Sequence, residues 1–238
     1  MSAHLLPKSK SCSAVKRKNN MEKIYQIAID GPAGSGKSTI AKALAKELGL
    51  DNNDTGAMYR AFGYKIRDTG IDMHNPAELR TLLDSTDIDF DHGKTLLDGE
   101  DVSGLIRTPE VSMLASDCSA IAEVRQKLVK LQQAMGETKS VVMDGRDIGT
   151  VVFPNAQYKF FLTASSRERA RRRFAELTAK GEKTTFEEVL EDMVKRDTQD
   201  TTRKVTPLRK ADDALEVDTT SMNIEQVTDF ILNRIKNA

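Results

Sequence analysis

The stretch IYQIAIDGPAGSGKSTIAKALAKELG, residues 24–49, decides the fold class of this chain. Residues 24–29 form a short, almost wholly apolar run, the pattern of a strand buried on both faces. Residues 31–38 fill every fixed position of G-x-x-x-x-G-K-[ST]. From Lys37 onward, Ile40, Ala41, Leu44, Ala45 and Leu48 recur at helical spacing, and Gly49 stands where a C-cap belongs. A glycine-rich turn before an ordinary helix would account for the glycines, but not for Lys37, Ser38 and both flanks together. Glycines let consecutive backbone N–H groups turn inward around an oxyanion, and the helix start adds its positive end. Lys37 can reach β- and γ-phosphates, and the Ser38 hydroxyl can ligate Mg²⁺. The stretch therefore reads as a nucleoside-triphosphate site contacted by Gly31, Pro32, Ala33, Gly34, Ser35, Gly36, Lys37, Ser38 and Thr39. Motors, GTPases and small-molecule kinases share such a loop, so the rest of the chain must choose among them.

At 238 residues the chain suits one α/β core with insertions. Apolar runs alternating with helical stretches predict a parallel sheet covered by helices on both faces. The 36 basic and 36 acidic side chains balance overall but not locally. Residues 1–23 carry six basic groups and one acidic, which leaves 30 basic and 35 acidic over the remainder. A general nucleic-acid binder shows the opposite sign over its folded part, so nucleic acid is not an expected partner. Cys12 and Cys118 offer neither metal spacing nor a disulfide framework, which favours a reducing compartment. No apolar run approaches transmembrane length, and no membrane partner is expected. Residues 1–20 hold no acidic group and no apolar core of a secretory signal. A disordered extension, an upstream start ahead of Met21 and a targeting segment are the three readings. The first two are favoured, because Arg17 is the segment's one arginine.

Residues 57–68 and 76–85 read as helices, the second capped by Asn75 with Pro76 at its first position. Alternation at 87–90, and 95–97 followed by Asp98-Gly99, predict a small antiparallel sheet that breaks the βα rhythm. Two more helices follow, one starting at Thr108-Pro109 and one spanning about 123–136. A buried strand then ends at Asp144, a position suited to an acid that orients Mg²⁺. Residues 158–162 read as another core strand. Five arginines lie within residues 167–173, a density that by itself suits a solvated or nucleic-acid-binding helix face. Gly181 ends that helix, and Thr185 opens the next with a capping box to Glu188. Residues 215–218 form a last core strand, and a closing helix begins after Asn223.

Five stretches beyond the glycine loop resemble one family, the bacterial cytidylate kinases of the P-loop nucleoside-monophosphate kinase group. They are D-T-G-A-M-Y-R (54–60), G-E-D-V-S-G-L-I-R-T-P-E-V (99–111), D-G-R-D-I-G-T-V-V-F-P (144–154) and the pair A-S-S-R-E-R-A-R-R-R (164–173) with R-D-T-Q-D-T-T-R (196–203). The resemblance covers roughly residues 24–238. It implies transfer of phosphate from ATP, with Mg²⁺, to CMP and dCMP; another nucleoside monophosphate such as UMP is the alternative acceptor. The fold it implies is a P-loop kinase core, at 22–60 and 138–238, with a monophosphate-binding insertion at about 61–137. A helical lid at about 165–185 and a disordered basic tail at 1–21 complete the expected organisation. A cytoplasmic monomer is expected.

The resemblance assigns the acceptor's phosphate to Thr55, Arg60 and Arg146, with Arg107 near it and Arg196 and Arg203 meeting phosphate as well. It assigns the cytosine ring to Ser116, Arg125 and Asp147, and a sugar hydroxyl to Asp200. Taken alone, Arg60, Ser116 and Arg125 would be ordinary polar helix residues, and Arg196 with Asp200 an ordinary i,i+4 pair. Asp147 suits cytosine chemically, because a carboxylate accepts from the N4 amine and repels the uracil carbonyl. Catalysis is expected from Lys37, Arg146, Arg169 and Arg173, the last two sharing a side of the lid helix, and metal binding from Ser38 and Asp144. The strand before Asp54 is polar here, Asp51-Asn52-Asn53, where relatives are apolar, so a short or frayed strand is expected.

Overall fold

The computed structural model describes residues 24–91 and 93–237; the tail expected at 1–21 and Cys12 lie outside them. β1 (Gln26–Asp30) runs through the glycine loop into α1 (Lys37–Leu48), which Gly49 closes in the left-handed conformation with its N–H donating to the Ala45 carbonyl. β2 (Asp51–Asp54) leads into α2 (Thr55–Thr69), where the Asp54 side chain accepts from Ala57 N–H, and α3 (Pro76–Asp84) starts at the Asn75 cap. β3 (Ile88–Asp91), β4 (Lys94–Leu97) and β5 (Glu100–Asp101) form the small antiparallel sheet. Asp98 and Gly99 both take positive φ between β4 and β5, as a two-residue hairpin turn requires.

α4 (Pro109–Cys118) and α5 (Ala122–Thr138) precede β6 (Val141–Gly145) and a π-helical turn at Ile148–Val152. β7 (Tyr158–Thr163), α6 (Ser166–Ala179), α7 (Phe186–Thr202), β8 (Leu215–Asp218) and α8 (Ile224–Lys236) complete the described chain. The capping boxes at Thr185 and Asn223 both form.

The main sheet is wholly parallel, in the order β2-β6-β1-β7-β8. Period-two alternation sends Ile27 and Ile29 to one face, against Ala41 and Leu44 of α1 and Val227 and Ile231 of α8. Ala28 and Met143 face the other way, into a cluster closed by Ile148, Val152 and Phe153. Helical cover on both faces explains why β1 and β6 read as continuous apolar runs. β2 is an edge strand, and that is where polar Asn52 and Asn53 are tolerated. It is short, as expected, but all four residues keep register with β6.

α2, α3, α4, α5 and the small sheet enclose an apolar cluster of their own, including Phe62, Leu79, Ile88, Ile106 and Leu128. α4 crosses α2 at Gly63, where a Cβ would sit 2.9 Å from the Ala115 nitrogen and 3.2 Å from the Val111 carbonyl oxygen. Backbone cannot yield there as a flexible side chain would. Gly63→Ala is therefore expected to cost about 1–3 kcal/mol, read as a lower melting temperature in thermal unfolding. An unchanged melting temperature would mean that the two helices part freely.

The carboxyl ends of all five parallel strands point the same way. Chemistry-bearing residues gather there: the glycine loop after β1, Asp54 at the end of β2, Asp144 to Asp147 around the end of β6, α6 after β7 and Thr219 after β8. A crevice beyond strand carboxyl ends is where open α/β sheets hold ligands.

Candidate active site

The glycine loop wraps its own lysine. Gly31 has φ 145°, and a Cβ there would lie 1.9 Å from the Leu162 carbonyl oxygen, so no other residue fits. Lys37 Nζ donates to the Pro32 carbonyl at 2.6 Å and to Ser35 Oγ at 3.4 Å, and Ser35 Oγ donates to the same carbonyl at 3.0 Å. Burial first, and then the Arg146 charge, hold the Lys37 ammonium well below its usual pKa. An anion in the loop is what would restore the charged form.

Ser38 Oγ donates to Asp144 Oδ2 at 2.6 Å. Asp144 Oδ1 is buried and has no hydrogen-bond partner, which is uncommon for a carboxylate oxygen. Burial, with the nearby charge of Asp54, pushes Asp144 up to about 7. A hydroxyl oxygen beside an oxygen-rich acid with an unused lone pair suits a hard divalent cation, so the pair fits Mg²⁺.

The raised value has a consequence for stability. A carboxylate whose folded pKa is about 7 against 3.8 unfolded stabilises fully below the lower value and ceases to as pH rises through the upper one. Relative to wild type, Asp144→Asn is therefore expected to gain on the order of 1–3 kcal/mol of stability between pH 5 and pH 8 in EDTA, while losing about 10²-fold in turnover. Melting curves at the two pH values decide it. An equal difference at both would show that Asp144 does not titrate in that window.

Beside Asp144 lies a narrow pocket of about 80 Å³, which opens into a cleft of about 1840 Å³ running over the glycine loop. Nine of the ten residues expected to hold an acceptor line the pocket; Arg107 lines the cleft instead. Arg60, Arg146 and Arg196 line both, so they mark the junction. Asp147, Arg125, Asp200 and Arg203 lie deeper.

Asp147 forms a buried ion pair with Arg125, whose Nη1 also donates to the Ser119 carbonyl at 3.2 Å and whose guanidinium sits 5.3 Å over the Tyr59 ring. Arg203 Nη2 is 3.9 Å from Asp147 Oδ1, and Nη1 is 3.7 Å from Asp200 Oδ1. Arg146 Nε donates to Asp200 Oδ2 at 2.7 Å. Arg60 pairs with Asp54 at 2.9 Å, and Arg107 approaches the same oxygen at 3.9 Å. Ser116 Oγ donates to Gln199 Oε1 at 3.1 Å, which ties α4 to α7. Thr55 Oγ1 gives its proton to the Asp144 main-chain carbonyl at 2.7 Å, leaving lone pairs toward the pocket.

Six arginines thus gather with four aspartates, Asp54, Asp144, Asp147 and Asp200, a surplus that suits an anionic ligand. Burial, then the charge of Arg146, lowers Arg196 to about 10. The Nε atoms of Arg60, Arg125 and Arg196, Arg203 Nη2 and the Tyr59 hydroxyl are buried without hydrogen-bond partners. Donors left this way at one pocket are what a polar ligand would satisfy.

The two lid arginines part company. Arg169 is buried, and its five N–H groups reach Ala164 O, Ala33 O, Ser166 Oγ and both oxygens of Asp197. It does not line the cleft. Arg173 does, and pairs with Glu176 at 2.9 Å on the lid surface. Arg172, also in the cleft, is held by Glu168 and by Thr219, whose hydroxyl bonds back to the Ser35 carbonyl. Sequence reading missed Asp197, Gln199, Thr219 and Asp30. Asp197 and Gln199 stood in a quoted motif without a role; nothing local marks Thr219 and Asp30. Among the described residues, no group of three or more His, Cys, Asp or Glu side chains is arranged to hold a metal, and no helix is long and apolar enough to cross a membrane.

Comparison with known proteins fixes the family. The model of the cytidylate kinase family matches residues 27–237. A cytidylate kinase from Caldicellulosiruptor bescii is 53% identical over 216 residues, covering 89% of this chain and 95% of that protein. Its counterpart from Clostridioides difficile is 51% identical over 209 residues, with 88% and 97% covered. That of Bacillus subtilis is 47% identical over 220 residues, with 91% and 98% covered. Among solved structures, an uncharacterized protein from Eubacterium ventriosum shares the fold at a TM-score of 0.50 and 15% identity, over 91% of this chain and 100% of that one. The chain belongs to the cytidylate kinase family.

Proposed function

We propose that the protein transfers the γ-phosphoryl group of ATP to CMP and dCMP, releasing ADP with CDP or dCDP. The observation that carries this reading is the layering of the site. An acceptor-only carboxylate, Asp147, lies deep in the narrow pocket, and three arginines, Arg60, Arg146 and Arg196, line its junction with the glycine-loop cleft. A base that presents an amine would seat at the bottom, its phosphate at the junction, and the triphosphate over the loop.

An acceptor phosphate oxygen then attacks the γ-phosphorus while the bond to the β–γ bridging oxygen breaks. The nucleophile is already anionic, so no strong general base is needed. Catalysis is positioning plus charge neutralisation. Lys37 faces the β- and γ-phosphates, Arg146 bridges acceptor phosphate and Asp200, and Arg172 and Arg173 reach in from the lid. Arg169, saturated by protein partners, acts as a positioning residue that ties the lid helix to the glycine loop. Ser38 and Asp144 would hold Mg²⁺, which neutralises charge on the β- and γ-phosphates when bound.

A coupled assay of ADP release across CMP, dCMP, UMP and AMP tests the reading. The two cytosine nucleotides are expected to exceed the others in kcat/KM by at least about 30-fold, the ratio that about 2 kcal/mol of discrimination gives. UMP or AMP as the best acceptor would overturn it.

A further inference from the structure

Asp30 ends β1, is 4% exposed, and takes no part in the chemistry above. Its two oxygens accept from main chain 118 and 119 residues away: Ile148 N–H to Oδ1 at 2.8 Å and Gly149 N–H to Oδ2 at 2.7 Å. Those are the first two amides after Asp147, whose own carbonyl accepts from Val151 and Val152. An aspartate in front of such a turn ordinarily folds its side chain back onto the amides that follow. Asp147 makes no bond of that kind. Its carboxylate reaches instead to Arg125 and faces Arg203.

We infer that Asp30 is a positioning residue for base selection: it occupies the first two amides of the turn, among them the Gly149 amide onto which the Asp147 carboxylate would otherwise fold, and so leaves that carboxylate facing the pocket. The inference rests on the reading of Asp147 as the group that meets the base. Two donors need two acceptors, and only a carboxylate supplies both; asparagine would turn an N–H against one amide. The negative charges of Asp30 and Asp147 also repel, which favours the outward orientation. Burial pushes Asp30 up to about 6, with the two amide bonds pulling the other way, so it is ionised at pH 8. Gly149 offers a second handle. A methyl there would lie 3.3 Å from Asp30 Oδ2 and 3.3 Å from Lys159 Cδ, pressing on the same contact without altering any pocket side chain.

The test measures kcat/KM for CMP and for UMP at pH 8, and KM for ATP, in wild type, Asp30→Asn, Asp147→Asn and the double variant. Asp30→Asn is expected to narrow the CMP-to-UMP ratio about tenfold or more with ATP KM changed less than about threefold, and to narrow it no further when Asp147 is already Asn. A purely structural role would lower both efficiencies together. An unchanged ratio in Asp30→Asn, or equal narrowing in both backgrounds, overturns the proposal. Should Asp147→Asn alone leave the ratio untouched, the assignment of Asp147 is what fails, and the proposal goes with it. If Asp30→Asn does not fold, Gly149→Ala is read the same way: a ratio narrowed several-fold supports the proposal, and an unchanged ratio overturns it.

Discussion

Lys37→Ala is expected to lower kcat by about 10³-fold while leaving the fold in place. The activity loss follows from the role proposed for Lys37, whose ammonium sits within the glycine loop against the Pro32 carbonyl. Preorganised charge of this kind is worth most in a water-poor cleft, where nothing else replaces it. Stability should not suffer, for two reasons. The Pro32 carbonyl keeps its bond from Ser35 Oγ at 3.0 Å. The folded protein also disfavours the lysine's charged form, through burial and Arg146. A basic group whose pKa is depressed on folding opposes folding wherever the unfolded chain would keep it protonated, so at pH 7 the variant should melt at or above the wild-type temperature. Single-turnover assays and melting curves check the two halves separately. Transfer within tenfold of wild type would remove Lys37 from the chemistry.

Asp147→Asn should have the second largest effect, and the structure makes it double-edged. Asparagine keeps the size but supplies a donor as well as an acceptor, so it can meet cytosine or uracil. A charged acceptor against the N4 amine favours cytosine by on the order of 2–4 kcal/mol, combining a gained hydrogen bond with an avoided repulsion. The CMP-to-UMP ratio of kcat/KM should narrow accordingly, by roughly 30-fold to 10³-fold. Arg125 is 2% exposed and paired to this carboxylate, so the same substitution strands a buried charge and should cost about 3–5 kcal/mol of stability. Kinetics are therefore to be measured well below the variant's melting temperature. A ratio that stays fixed while both efficiencies fall would leave Asp147 a purely structural partner of Arg125.

Local signals made most of the fold legible in advance. Gly49, Asn75-Pro76, Thr108-Pro109, Thr185 with Glu188, and Asn223 each act within a turn of their own helix, and each boundary lies within a residue or two of the pattern. The quoted motifs supplied acceptor residues whose convergence no periodicity could reveal, since α2, α4, α5, β6 and α7 all contribute. What stayed hidden depends on distance along the chain. Helical spacing put Arg169 and Arg173 on one side of α6, but it could not say that the first turn of that helix packs on the glycine loop and Asp197. Asp30 follows the apolar run at 24–29 without a local sign of a role, because its partners lie beyond a hundred intervening residues. The π-helical turn after Asp147 left no periodic trace in five residues.

The strand order bears on how the protein is made. β1 lies between β6 and β7, and Tyr25 and Ser140, joined by a hydrogen bond, are 115 residues apart. A ribosome adding roughly 5–20 residues per second needs on the order of 10 s to supply that partner. Through that interval Ile27, Ala28 and Ile29 have no sheet neighbour, whereas the α2–α5 region can close its own cluster around Phe62 and Leu128. Nascent chains should therefore acquire the acceptor-side helices first and the phosphate loop last. During that wait the aggregation-prone surface is the strand that leads into the glycine loop.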